Sequence, residues 1–132
     1  MTATIDQLIS AIAEYRGPKM FNPWSESCRM ELDKQYYLQR RENLKAHLSC
    51  DSPLCIMIGE AAGYRGARFT GVPFTSESLL VDQSIPRVEH PKGQRITTRR
   101  LPWKEPSATI VWEELNKHRV ADRIIMFNAA PQ

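Results

Sequence analysis

Two stretches of this sequence concentrate residue types that do chemistry on a ligand. From Gly59 to Ser78 run four glycines, Gly59, Gly63, Gly66 and Gly71, interleaved with Glu60, Tyr64, Phe74 and several small polar residues. A chain of that composition makes a long irregular loop that can bring its backbone close to a ligand. From Arg87 to Lys104 the bases Arg87, Lys92, Arg95, Arg99, Arg100 and Lys104 face one acid, Glu89. Positive charge so concentrated suits contact with phosphates, and Arg95, Arg99 and Arg100 are the candidates for it.

The same residues exclude several other chemistries. The glycine loop lacks the G-K-S or G-K-T of a phosphate-binding P-loop, and Gly59, Gly63, Gly66 and Gly71 do not fit the G-x-G-x-x-G spacing of a dinucleotide site. The three cysteines, Cys28, Cys50 and Cys55, contain no C-x-x-C, and His47, His90 and His118 have no metal-ligand spacing. No metal or other cofactor is therefore expected. The cysteines are read as inert, Cys50 near a helix end and Cys55 in a buried strand, and the histidines as solvated or capping residues. An odd cysteine count and a start, MTATIDQL, without the basic and apolar regions of a secretory signal point to a reducing, cytoplasmic setting. No apolar run approaches the roughly 20 residues that span a bilayer, so no membrane partner is expected.

The elements that must position these residues follow from periodicity. With 132 residues, 42% hydrophobic, a net charge of +3 and a mean hydropathy of -0.45, the chain has apolar surface for one core and no room for two ordinary domains. Thr4 and Gln7 resemble a capping box, and Ile5, Leu8, Ile9 and Ile12 share a helical face until Gly17-Pro18 ends the pattern. Met30, Tyr37, Leu44 and Leu48 predict a second helix from about Ser27 to Leu48, with Lys34, Arg40, Arg41 and Lys45 on a solvated face. Leu54 to Ile58 is an unbroken apolar run of the kind expected for a strand buried on both faces. Residues 83–104 fit either a hairpin or a loose flap. Pro106 suits a first helical position, and Ala108, Val111, Trp112 and Leu115 carry that helix to about His118. Arg123 to Phe127 then reads as a second buried strand ending at Asn128. Strand, crossover, helix and strand make an α/β unit with a parallel pair, here expected as a three-layer fold. Ligands in such sheets sit beyond the carboxyl ends of the strands, which brings the loop after Ile58 and Asn128 to one crevice.

The segment from Ile58 to Glu77, with Gly59-Glu60-Ala61-Ala62-Gly63 and Thr70-Gly71-Val72-Pro73-Phe74, resembles the first motif of the uracil-DNA glycosylase superfamily. It is closest to branches whose motif reads like G-E-A-P-G or G-x-A-P-A followed by T-G-R-x-F. Ile124 to Pro131, with Asn128-Ala129-Ala130-Pro131, looks like that family's later strand ending in N-x-x-P. The chain departs from the pattern at Ala62, where the family usually has proline.

The resemblance implies a DNA-repair enzyme that hydrolyses the N-glycosidic bond of uracil or a related deaminated base without a metal. Such an enzyme must flip the base out of the stack and read its Watson–Crick edge. Phe74 would then stack on the uracil ring. Asn128 would pair with its N3-H and O4, for which a carboxamide supplies both acceptor and donors. Gly59, Ala61 and Tyr64 would line the pocket. Glu60 would position the attacking water or stabilise the positive sugar that forms as the bond breaks. Some members of the superfamily hold an iron-sulfur cluster through four cysteines, which three cysteines cannot supply.

Family members continue through further βα units to a second motif, often containing His-Pro, and His90-Pro91 falls too early to be that motif. Residues 1–132 are thus expected to form a single incomplete domain, poorly active alone and inclined to self-associate through an uncovered sheet edge, the strand from Arg123 to Phe127 in particular. Two alternatives stand beside this reading. One is a catalytically inactive base-binding or protein-interaction module derived from the same fold. The other is an unrelated small α/β binding domain whose glycine loop matches by chance.

Overall fold

The computed structural model describes residues 2–59, 63 and 65–128. Apolar residues at helical spacing build α1, Thr2–Glu14, which buries Ile9 and Ala13 against Trp24 and Leu44. The second helix, α2, is shorter than its periodicity predicts and spans Tyr36–Leu48. The reason is Glu31, whose buried carboxylate takes the Cys28 amide at 2.7 Å and the Arg40 guanidinium at 2.7 Å. Residues 27–35 therefore turn around Glu31. Asp33 marks the helix start by accepting from the amides of Gln35 and Tyr36. Arg40 is correspondingly not on a solvated face. It is fully buried, with further bonds to the carbonyls of Pro23 and Glu26.

Strand β1, Cys55–Gly59, pairs in parallel with β2, Ile124–Asn128, with Gly59 opposite Asn128. Between them lie α3, Ala67–Thr70, α4, Glu77–Val81, and α5, Pro106–Lys117, with a 3-10 turn at Ala121–Arg123 leading into β2. Pro106 opens α5 behind an extended Glu105, as the sequence predicts. The fold is thus mixed α and β with a two-stranded parallel sheet. Its core joins Trp112 and Ala108 of α5, Phe69 of α3, Leu79 and Leu80 of α4, and Ile124 and Met126 of β2.

Two expectations about the sheet are corrected. β1 is not buried on both faces: Leu54, Ile56 and Ile58 are 55%, 58% and 68% exposed, and Cys55 is exposed as well. β2, in contrast, is closed along its other side by side chains. The Met126 amide donates to His47 Nε2 at 2.9 Å, and Arg87 donates to the Ile124 carbonyl at 2.7 Å. The open edge therefore belongs to β1 and not to the strand from Arg123 to Phe127.

His47 and His90 are buried and not solvated. Each completes a backbone bond, His47 to Met126 and His90 with the Gln94 carbonyl at 2.8 Å. Residues 83–104 form neither a hairpin nor a free flap. Their one ladder contact is an isolated antiparallel bridge between Glu31 and Thr97. They are pinned instead by Glu77, which accepts from the amides of Ile96, Thr97 and Trp103 at 2.7, 2.9 and 3.0 Å. Among the described residues no helix is long and apolar enough to cross a membrane.

Candidate functional site

The parallel register sets the two strand ends, Gly59 and Asn128, side by side. A Cβ placed on Gly59 would lie 2.8 Å from Phe74 Cζ and 3.0 Å from Asn128 Oδ1. Phe74 and Asn128, 54 positions apart, thus close on the same α carbon, and any side chain there would have to displace them. Asn128 is 8% exposed, and its Nδ2 has no hydrogen-bond partner among the described residues. A buried donor without a partner costs about 1–3 kcal/mol, which a ligand acceptor would offset.

The loop that carries Phe74 is fixed by threonines and one tryptophan. Thr70 Oγ1 donates to the Thr75 carbonyl at 2.8 Å and accepts from the Val72 amide at 3.1 Å, while Thr75 Oγ1 donates to the Pro73 carbonyl. Trp112 Nε1 donates to the Phe74 carbonyl at 2.9 Å. These bonds hold Phe74 at φ 56°, a left-handed conformation that a bulky residue adopts only when its surroundings enforce it. Strain of that kind is consistent with a ring aimed for a purpose other than core packing. Phe74 remains half-buried at the edge of the core.

Of the residues predicted for the site, Gly59, Phe74 and Asn128 come together. Glu60, Ala61 and Tyr64 lie outside the described residues. The three arginines divide by role. Arg95 turns inward and pairs with Glu77 at 3.1 Å, and it also donates to the carbonyls of Arg99 and Arg100. Arg99 is exposed and lies over the Trp103 ring, 4.3 Å from its centroid. Trp103 stacks in turn on Phe69 at 5.7 Å, so Arg99 caps an aromatic pair rooted in the core. Arg100 is exposed.

Burial alone would push the Glu77 carboxyl up, but bonds from Arg95 and from the amides of Thr97, Trp103 and Ile96 outweigh it and hold the group below its ordinary value. Glu77 is thus a constant anion that organises the basic segment. Periodicity carries no sign of this role, because all its partners lie 18 or more positions away. Trp112 is legible in the sequence only as core, and its bond to the Phe74 loop is not. Among the described residues no group of three or more His, Cys, Asp or Glu side chains is placed to hold a metal ion.

Comparison with protein families, with curated proteins and with solved structures found no match to this chain.

Proposed function

We propose that the chain is a uracil-DNA glycosylase-like repair domain, whose crevice at the ends of β1 and β2 receives a flipped uracil or related deaminated base. The observation that carries this reading is the buried, unpartnered Nδ2 of Asn128 beside the Phe74 ring at Gly59. An aromatic face with an adjacent carboxamide edge is what a single planar base requires. Phe74 stacks on the base, and Asn128 donates to O4 and accepts from N3-H, while Gly59 leaves the room in which those two side chains meet. Arg99 and Arg100 contact phosphates. Glu60 supplies the carboxylate that orients water toward the anomeric carbon. In the reaction the bond from that carbon to N1 breaks, the water oxygen bonds to the sugar, and a water proton is left to neutralise the departing base.

The test is excision from uracil-containing single-stranded and duplex oligonucleotides, compared with binding of the same oligonucleotides. Release of free uracil that is lost in Glu60→Gln supports the enzyme. Tight, uracil-selective binding without release makes the chain an inactive base-binding module. Absence of both discards the reading.

A further inference from the structure

We infer that Glu105 is a positioning residue for the glycine loop, and that α5 clamps both ends of the pocket rim through Glu105 and Trp112. The inference rests on the glycosylase reading for its catalytic consequence but not for the clamp itself. A Cβ placed on Gly63 would lie 2.5 Å from Glu105 Oε2, and one on Gly66 would lie 3.0 Å from the same oxygen and 3.2 Å from the Thr75 carbonyl. The carboxylate is therefore seated against two glycine backbones at once, next to the residue that follows Phe74. Gly63 in turn closes the loop, its carbonyl accepting from the amides of Gly66 at 3.1 Å and Arg68 at 3.3 Å.

Glu105 is anchored through its backbone and by one bond to its carboxylate. Its backbone is extended at the head of α5, its carbonyl accepts from the Thr109 amide at 3.0 Å, and Ser107 Oγ donates to its Oε1 at 3.2 Å. Seven positions on, two helical turns along the same face, Trp112 holds the carbonyl of Phe74 and the hydroxyl of Thr75. The head and body of one helix thus meet Gly63 and Gly66 at one end and Phe74 and Thr75 at the other. Glu60 lies three positions before Gly63 in sequence, and on the glycosylase reading a looser chain at Gly63 is expected to act on turnover. Phosphate contacts are made elsewhere, by Arg99 and Arg100. Loss of the clamp therefore lowers turnover more than affinity.

The test is a set of four variants in the full chain, Glu105→Ala, Glu105→Gln, Gly63→Ala and the double variant Glu105→Ala/Gly63→Ala, read by amide hydrogen exchange and by steady-state excision. Glu105→Ala should raise exchange at Arg65 to Thr70 by about tenfold with α5 unchanged. It should lower kcat by about tenfold or more while KM for a uracil oligonucleotide moves less than about twofold. Glu105→Gln, which keeps the volume, should restore both. Gly63→Ala should match Glu105→Ala by displacing the carboxylate, and the double variant should lose nothing further, because both act on one contact. Unchanged exchange in Glu105→Ala, or additive losses in the double variant, would overturn the clamp. A loosened loop in a chain whose wild type neither binds nor cleaves uracil DNA leaves the clamp standing. That result would overturn the glycosylase reading and the catalytic consequence drawn from it.

Discussion

At the scale of single residues, the proposed function has Asn128 and Phe74 divide selectivity from affinity. Stacking on an aromatic ring is worth roughly 1–3 kcal/mol per base, so Phe74→Ala should weaken binding of any flipped base by about 5- to 150-fold. The left-handed φ of 56° would be retained, since the Thr70, Thr75 and Trp112 bonds that impose it do not involve the ring. Asn128→Asp should change preference. A carboxylate loses the amide donors suited to uracil O4 and offers an acceptor to the cytosine amino group, so the ratio of uracil to cytosine excision should fall. Oligonucleotides differing only in the target base measure it. If Asn128→Asp lowers the melting temperature and leaves that ratio alone, the side chain merely supports the end of β2. The meeting of Gly59 with Asn128 was legible in sequence, because the ends of a parallel pair adjoin, whereas the return of Phe74 to that point depends on the bonds of Thr70, Thr75 and Trp112. The unpartnered Nδ2 was not legible, because the absence of a partner has no sequence signal.

At the scale of elements, long-range polar contacts decide what periodicity cannot. Helix α5 and both strands stand where apolar spacing and Pro106 put them, since those signals are local. The start of α2 and the order of residues 94–103 were hidden because they depend on Glu31 with Arg40 and on Glu77 with Arg95, pairs 9 and 18 positions apart and so beyond the reach of helical or strand periodicity. Basic residues that look alike in sequence therefore behave differently. Replacing Arg99 and Arg100 by Ala should reduce the slope of log affinity against log salt on duplex DNA by up to about 2, near 0.9 for each phosphate left without its arginine. Stability should fall only slightly, by about 0.5–1 kcal/mol, through loss of the Arg99 contact with the Trp103 ring. Arg95→Ala should instead lower stability by about 2–3 kcal/mol by leaving a buried carboxylate short of its cation. If Arg95→Ala flattens the salt slope at unchanged stability, its pairing with Glu77 is incidental.

His47 gives an element-scale prediction about pH. Burial, followed by the Arg87 guanidinium 3.3 Å from its Nδ1, pushes the imidazole down to about 4. The unfolded chain titrates this group near 6.5, so it binds the proton before the fold does. Stability from the neutral ring is complete above about pH 6.5 and is lost progressively as pH falls toward 4, up to about 3 kcal/mol. Glu77, whose pKa is held low, begins to lose its contribution only below the ordinary carboxyl value. A His47→Gln variant should be less stable at neutral pH, through the Met126 amide, yet nearly flat between about pH 6.5 and 5 in denaturant titrations. If it keeps the wild-type slope in that window, another group is responsible.

At the scale of the whole molecule, the two strands are unequal, and the inequality sets how the protein meets other surfaces. An apolar run such as Leu54 to Ile58 announces a strand but says nothing of what will cover it, so its exposure could not be foreseen from sequence. β2 carries His47 and Arg87 on its outward backbone, whereas β1 presents Ile56 and Ile58 to solvent, with Leu54 exposed just before it and no charged residue from Leu54 to Gly59. Edge strands are ordinarily protected by charge or by bulges, and an unprotected apolar edge is a template for pairing. Self-association should therefore run through β1. Ile56→Lys should shift sedimentation velocity profiles toward monomer at tens of micromolar protein. It should cost little stability, since the side chain it replaces is already 58% exposed. A charge at Ile125 on β2 should instead mainly destabilise, because that residue is only partly accessible and flanked by the buried Ile124 and Met126. If Ile56→Lys leaves the association state unchanged while a lysine at Ile125 dissolves it, β2 provides the contact and the side-chain closure by His47 and Arg87 is too weak to exclude a partner strand.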